Sequence, residues 1–194
     1  MTAAAQPDLG AGCAFRTRDL ARWGKNPVRL AKRLVHEGRL REAAHGLYYT
    51  PITSKFGPAP VPDEVLLRAF LDGAPFLISG PPRWNALGLG STAMFAATLV
   101  YNKQRTGKFV LDGRQFFLRR VYFPDHPTPE WFVVDLLRHH EMAGLALSEL
   151  LPNLVVALRE RRWAADELHT MAETYGSKTT LALADKCITE ALSA

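Results

Sequence analysis

Cysteine is scarce in this chain, and its placement excludes two classes of protein. The 194 residues include two cysteines, Cys13 and Cys187, which lie near opposite ends and belong to no Cys-x-x-Cys pair. Disulfide-stapled folds and cysteine-based zinc sites both need several cysteines at short spacings. We therefore exclude both classes and interpret the two side chains as inert thiols.

Long apolar runs are missing too. The longest extends from Ala93 to Tyr101 and is interrupted by Thr98. A helix needs about 20 mostly apolar residues to cross a bilayer. No apolar stretch typical of a secretion signal follows Met1. The sequence therefore predicts a soluble, cytoplasmic protein without a membrane partner.

Motifs of catalytic chemistry are also lacking. Residues 80–92 are glycine-rich but lack the lysine of a phosphate-binding loop, so we expect a close strand-to-helix turn. The adjacent His139 and His140 cannot share a helix face, and we interpret them as a solvated or inter-helix pair. Asp112 stands in an Asp-Gly turn, where its own hydrogen bonding accounts for an aspartate without any bound metal. We predict no enzyme, no catalytic residue, no metal and no cofactor.

Positive charge, in contrast, is concentrated in one quarter of the chain. Up to Thr50, nine Lys and Arg residues stand against four acids, whereas the remainder has 15 of each. The formal net charge of +5 therefore belongs to the first 50 residues. A cationic surface confined to one region indicates a polyanionic partner there and another task for the rest.

This basic region has the pattern of a helix-turn-helix. Thr17 is a predicted N-cap for a short helix reaching residue 23, and residues 24–26 form a turn. Asn26 followed by Pro27 is typical of the start of a second helix, which Gly38 ends. The predicted apolar face of that helix comprises Leu30, Ala31, Leu34 and Val35. The opposite face is a basic stripe of Arg29, Lys32, Arg33 and His36.

A hairpin is predicted directly after this helix. Two short β-like runs, 39–43 and 47–49, are joined through residues 44–46, with Gly46 suited to a positive φ. Its exposed cations would be Arg39, Arg41 and His45. Taken alone, a basic stripe is most often a solvated helix face. The stripe together with the hairpin favours a winged helix-turn-helix, because it places cations where DNA backbone and groove would lie.

Several segments also resemble a known family. The run FRTRDLARWGKNPVRLAKRLVHEGRLREAAHGLYYTP resembles the N-terminal winged-helix domain of AbiEi-type antitoxins, which regulate transcription in type IV toxin-antitoxin systems. The segment LISGPPRWNALGLGST is similar to the one that follows in many relatives. One departure is that only 14 residues precede Phe15, so we expect the first helix usual in these domains to be short or absent.

The resemblance implies a function. Members of this family repress their own operon by binding inverted repeats, and they oppose a nucleotidyltransferase-like toxin encoded beside them. For this chain it implies double-stranded promoter DNA as a partner and a cognate toxin as a second one, with or without a stable complex between them.

The predicted fold class is α+β in two domains. Residues 1–55 would form the winged helix-turn-helix, and residues 56–194 a mixed domain with strands to about residue 125 and a helical bundle after it. A proline-rich stretch, residues 57–62, would be an extended connector. Asp63 is a predicted helix cap, and helices are expected near 129–143, 146–162, 164–175 and 178–192.

We therefore expect a sequence-specific DNA-binding autorepressor. The predicted DNA contacts are Thr17, Arg18, Lys25, Asn26, Arg29, Lys32, Arg33, His36, Arg41 and His45. Two alternatives remain: a stand-alone winged-helix transcription factor whose second domain senses a ligand or dimerises, and a DNA-targeted nuclease. Because one short module contacts few base pairs, we also expect a mostly monomeric protein that occupies paired half-sites cooperatively.

Overall fold

The computed structural model describes residues 7–55 and 57–193, and it is α+β, as the sequence predicts. The chain forms two compact units. The first extends to Phe76 and includes Lys108–Phe116, and the second comprises Leu77–Gly107 and the chain from Phe117 onward. The sequence predicts a domain boundary after residue 55. That boundary differs from the division into compact units and stays a prediction.

The first unit begins with a small antiparallel sheet and two helices. In chain order these are β1 (Ala14–Arg16), a 3-10 helix (Thr17–Trp23), α1 (Pro27–His36), β2 (Arg41–Ala44) and β3 (Leu47–Tyr49). The strand order is β1-β3-β2, so the predicted hairpin is present with a third strand beside it. Phe15 in β1 stands opposite Tyr48 in β3.

The ends of α1 follow from the residues that the sequence analysis singled out. The Asn26 side chain accepts a hydrogen bond from the Arg29 backbone N–H at 3.0 Å, and Pro27 occupies the first helical position. Gly38 has a φ of +69°, a conformation that ends a helix at little cost only for glycine. The predicted start and end of α1 are confirmed.

Thr17 was wrongly predicted to cap the 3-10 helix. Arg16 precedes that helix, and its backbone N–H donates to the Asp19 carboxylate at 2.7 Å. The backbone N–H of Thr17 donates to the Gly46 carbonyl at 2.9 Å, and its hydroxyl donates to the same oxygen at 3.3 Å. Thr17 therefore ties the 3-10 helix to the loop between β2 and β3.

The inner side of α1 packs into a small core. Leu30, Ala31 and Leu34 are buried there together with Leu20, Leu40 and Tyr48. Val35, predicted on the same face, is 36% exposed. Successive helical residues turn by about 100°, which carries Val35 to the margin of the buried face.

Residues 52–54 and 57–59 pair with each other, whereas the prolines suggested an unpaired connector. Strand β4 (Ile52–Ser54) pairs antiparallel with β5 (Gly57–Ala59), and Thr53 stands opposite Pro58. A two-stranded ladder has only edge strands, where the missing N–H of a proline is tolerated.

Helix α2 (Asp63–Phe70) follows, and Asp63 is its first residue rather than its cap. The position before the helix is held by Pro62, which has no side-chain donor or acceptor. Beyond the helix, Asp72 has a φ of +58° and Gly73 a φ of +75°. Asp112 accepts from the Tyr49 hydroxyl at 2.8 Å, and the Arg114 guanidinium pairs with Asp63, which hold the segment 108–116 in this unit.

A four-stranded sheet and a helical bundle account for most of the remaining chain. In chain order the elements are β6 (Phe76–Ser79), α3 (Pro81–Ala86), β7 (Ala97–Asn102), β8 (Gly107–Leu111) and β9 (Arg114–Arg120). They are followed by α4 (Pro129–Arg138), α5 (Leu147–Arg159), α6 (Ala165–Tyr175) and α7 (Lys178–Leu192). The strand order is β6-β7-β9-β8. Asp112 and Gly113 both have positive φ, which confirms the predicted Asp-Gly turn.

The bundle forms the larger hydrophobic core. Trp84, Trp131 and Leu154 are buried there, and α7 contributes Ala184 and Cys187 to it. Burial raises the pKa of the Cys187 thiol to about 11. Helix α4 ends at Arg138, five residues before the predicted end. Within the described part of the chain, no helix has the length and apolar character needed to cross a membrane.

Candidate nucleic-acid interface

The outer side of α1 carries the largest share of the predicted DNA contacts. Arg29, Lys32, Arg33 and His36 are all exposed, on the side of the helix away from Leu30 and Leu34. We call these four residues the α1 basic face. Because the inner side is anchored in the core, the orientation of the outer side is fixed by packing.

A concavity lies at the start of α1. It has a volume of about 460 Å³ and is lined by Trp23, Gly24, Asn26, Arg29, Leu30 and Arg33. Arg29 and Arg33 are one helical turn apart, so their side chains lie on the same side of the helix. The positive end of the helix dipole adds to their charge. The concavity therefore has the electrostatics of an anion site.

The cations around α1 differ in whether they already have partners. The side chains of Lys25, Arg29 and Lys32 make no hydrogen bond or ion pair with any residue that the structure describes. Arg33 Nε lies 3.6 Å from Glu37 Oε1, with both side chains substantially exposed. Such an exposed pair contributes little and exchanges readily with an external anion.

Arg18 is engaged elsewhere in the first unit. Its guanidinium is hydrogen-bonded to the Asp72 carboxylate, and Arg16 Nη1 lies 3.4 Å from the same carboxylate. Asp72 therefore neutralises part of the charge that the sequence analysis assigned to DNA.

The hairpin of β2 and β3 presents fewer cations than predicted. His45 is exposed in its loop, whereas Arg39 is half-buried and its guanidinium donates to the Pro7 carbonyl at 2.5 Å. Arg41 is exposed but interacts with the Tyr49 phenol, whose pKa is raised by burial and by Asp112 and is lowered to a smaller extent by Arg41. Of these three residues, His45 is exposed and has no partner among the described residues.

The ten predicted DNA contacts therefore separate into two groups. Lys25, Arg29, Lys32, His36 and His45 are exposed, and their side chains make no hydrogen bond or ion pair with any described residue. Thr17, Arg18, Arg33 and Arg41 have partners within the first unit, and the Asn26 side chain caps α1. Sequence reasoning missed this division, because the partner of Arg18 is 54 residues away in the chain.

The second unit contains a polar cluster that the sequence analysis missed. The Asp135 side chain is 1% exposed and lies within an otherwise apolar stretch of α4. Its Oδ2 accepts from Ser79 Oγ at 2.6 Å and from Trp84 Nε1 at 2.9 Å, and its Oδ1 accepts from the Tyr101 hydroxyl at 2.8 Å. A buried carboxylate stays charged only when donors surround it in this way.

His139 completes the Asp135 cluster and is neither solvated nor part of an inter-helix pair. Its Nδ1 lies 2.8 Å from the Asp135 carbonyl oxygen and 3.2 Å from Oδ1, and its ring stacks on Trp84 with centroids 5.8 Å apart. Arg119 Nη1 lies 2.9 Å from Nε2. Because a guanidinium can only donate, Nε2 accepts and the ring proton is on Nδ1. His140 Nδ1 lies 3.0 Å from the Leu145 carbonyl oxygen.

The donors determine the ionisation of this cluster. Burial by itself would raise the pKa of Asp135, but hydrogen bonds from His139, Ser79 and Trp84 outweigh it and hold that pKa below its usual value. Burial and the neighbouring Asp135 charge raise the pKa of Tyr101, whose hydroxyl therefore remains a donor. A sequence signal existed in the pair Asp135 and His139, four residues apart on one helix face.

Residues 7–55 and 57–193 contain no group of three His, Cys, Asp or Glu side chains placed to hold a metal ion. The Asp135 carboxylate is enclosed and accepts hydrogen bonds at both oxygens. Both oxygens of the carboxylate are satisfied by buried neighbours, so the cluster stabilises the second unit.

Comparison with known proteins finds a likeness of fold. No family model and no curated protein matches the sequence. The crystal structure of RV2827C protein from Mycobacterium tuberculosis is similar, with a TM-score of 0.56 and 15% sequence identity. The similarity covers 92% of this chain and 72% of that one. The two chains therefore have a similar fold over most of their length.

Proposed function

We propose that this protein binds double-stranded DNA through α1 and represses transcription. The observation that carries the proposal is the α1 basic face, exposed on a helix whose other side is buried. Two of its cations, Arg29 and Lys32, have no partner among the described residues, and exposed cations of this kind favour a polyanionic partner.

In this proposal the first unit is a winged helix-turn-helix. The 3-10 helix, the turn at residues 24–26 and α1 are its helix-turn-helix, and the hairpin of β2 and β3 is its wing. Lys25, Arg29 and Arg33 contact phosphates beside the concavity, and Lys32 and His36 are directed to base edges in the major groove. His45 contacts the backbone next to it.

The regulatory setting rests on the resemblance in sequence. We propose that the protein is an AbiEi-type antitoxin that represses its own operon and opposes a nucleotidyltransferase-like toxin, without catalytic activity of its own. A toxin gene adjacent to this one, whose product arrests growth unless this chain is co-expressed, would support the antitoxin role. Repression with no such neighbour would instead indicate a stand-alone transcription factor.

DNA binding is tested with the full chain and a duplex covering the region upstream of its own gene. Replacing Arg29→Ala and Arg33→Ala together should flatten the plot of log affinity against log salt by about one unit for each lost phosphate contact. The matched control is Lys178→Ala with Lys186→Ala, two exposed residues of α7 whose replacement removes the same charge. Equal slopes for the two double variants would refute the proposal.

A further inference from the structure

Two exposed valines accompany the cations on α1. The exposed fraction is 52% for Val28 and 36% for Val35. They are seven residues apart, so they lie on one line along the helix, about 10 Å from each other. Val35 lies at the margin of the buried face and Val28 is about half exposed, so both valines present apolar surface to solvent, although alanine is the better helix former.

The valines give the outer side of α1 two chemically different edges. Taking about 100° per residue, Val35 lies within about 20° of Val28, Lys32 lies about 40° further round, and Arg33 about 140° round. One edge is therefore apolar. The other edge, where Arg29 and Arg33 line the concavity, is cationic.

Charge decides which occupant this outer side fits. Lys32 lies between the valines along the helix, and the exposed Arg29, Arg33 and His36 continue the same surface. An apolar strip beside a cationic surface matches the major groove of B-DNA, in which phosphates border the base edges and thymine alone presents a methyl group.

We propose that Val28 and Val35 contact thymine methyl groups and so contribute to sequence specificity. The inference rests on the proposed function of α1. The spacing of about 10 Å corresponds to at most about three base pairs at 3.4 Å each, so both thymines lie in one half-site. Arg29 and Arg33 then face the phosphates on the opposite side of the helix.

The test begins with sites selected from a random duplex library by the full chain. In the selected duplex each thymine is replaced in turn by deoxyuridine, which removes only the 5-methyl group. We expect affinity to fall about fourfold, the value of one buried methyl group, at two positions of each half-site and to be unchanged elsewhere.

Valine variants assign each methyl group to its residue. Val28→Ala should abolish sensitivity to deoxyuridine at one position, and Val35→Ala at the other. Alanine is the better helix former, so neither variant unfolds α1. The control is Val110→Ala, which alters a valine that is 59% exposed on β8 and should leave every measurement unchanged.

The outcomes separate this inference from the proposed function. Salt-dependent selection of a duplex with no effect of deoxyuridine overturns the thymine contacts and leaves DNA binding intact. Valine variants that weaken self-association but not DNA binding would show that the apolar edge contacts a second copy of the chain. That result would also overturn the thymine contacts. Failure to bind any duplex would refute both.

Discussion

Charged groups serve different purposes in the two units. In the first, Lys25, Arg29 and Lys32 stand in solvent without internal partners. In the second, the Asp135 carboxylate is enclosed and accepts from Ser79, Trp84 and Tyr101. An exposed charge without a partner contributes little to folding and is available for binding, whereas a buried and fully hydrogen-bonded charge is committed to the fold.

The largest expected effect is on stability. Asp135→Ala leaves the Ser79, Trp84 and Tyr101 donors buried without an acceptor and should lower the free energy of unfolding by about 3–5 kcal/mol. Asp135→Asn should lie between this variant and the parent, because one of the two acceptor oxygens remains. The measurement is urea denaturation, with the exposed Asp166→Asn as the control. A change below about 1 kcal/mol for Asp135→Ala would contradict the assigned role.

The same cluster predicts a response to acid. Because the pKa of Asp135 in the folded protein lies below its ordinary value of 3.8, its contribution is fully present above that value. It is lost as the pH falls through the folded pKa. In acid titrations followed by circular dichroism, the stability difference between the parent and Asp135→Asn should therefore shrink below pH 3.8. A constant difference would show that the carboxylate charge is not involved.

The α1 basic face should behave in the opposite way. Replacing Arg29→Ala and Arg33→Ala together should change the free energy of unfolding by less than about 0.5 kcal/mol, because their exposed charges stabilise little. The same variant loses DNA affinity in the experiment above. A loss of stability as large as that of Asp135→Ala would remove the distinction between the two units.

Replacing Asp72 should free the charge of Arg18 and Arg16 for DNA binding. Asp72→Asn retains a residue that tolerates a φ of +58°, but it releases Arg18 and Arg16 from their ion pairs. We expect the salt dependence of DNA binding to steepen by up to about one unit. Asp166→Asn makes the same change in net charge in α6 and should have no such effect. If both variants steepen it equally, Arg18 does not reach the DNA.

The smallest predicted effect concerns the exposed pair of His169 and Asp185. His169 Nδ1 lies 2.6 Å from Asp185 Oδ1, and this hydrogen bond and the Asp185 charge raise the pKa of His169 above 6.5. The stabilisation is therefore present below pH 6.5 and is lost as the pH rises through the raised pKa. Asp185→Asn should lower Tm slightly on the acid side of this transition and leave it unchanged on the alkaline side. An equal shift at both pH values would exclude the pair.

Local patterns in the sequence were sufficient where a few neighbouring residues determine the backbone. Asn26 and Pro27 start α1, Gly38 ends it, and Asp112 with Gly113 forms the predicted turn. The exposed position of the α1 basic face also followed from helical period alone. Each of these depends on hydrogen bonds or steric limits within a few residues.

Prediction failed where a partner lies far along the chain. Strand β1 has three residues and exists through its pairing with β3, in which Phe15 stands opposite Tyr48, 33 residues further along the chain. The pairing of β4 with β5 contradicts the unpaired connector that the prolines led us to expect. Strands as short as β1, β4 and β5 do not show enough alternation of apolar and polar residues to be predicted from the sequence.

The sequence by itself determined the α+β class, the start and end of α1 and the basic character of its outer side, because propensity, capping and periodicity act over a few residues. Only the tertiary structure decided which charged side chains stay exposed and which are paired within the protein. It brought Asp72 to Arg18 across 54 positions, and Ser79 to Asp135 across 56. Whether a charge is exposed or enclosed depends on what packs around it, and packing joins residues that no local pattern connects.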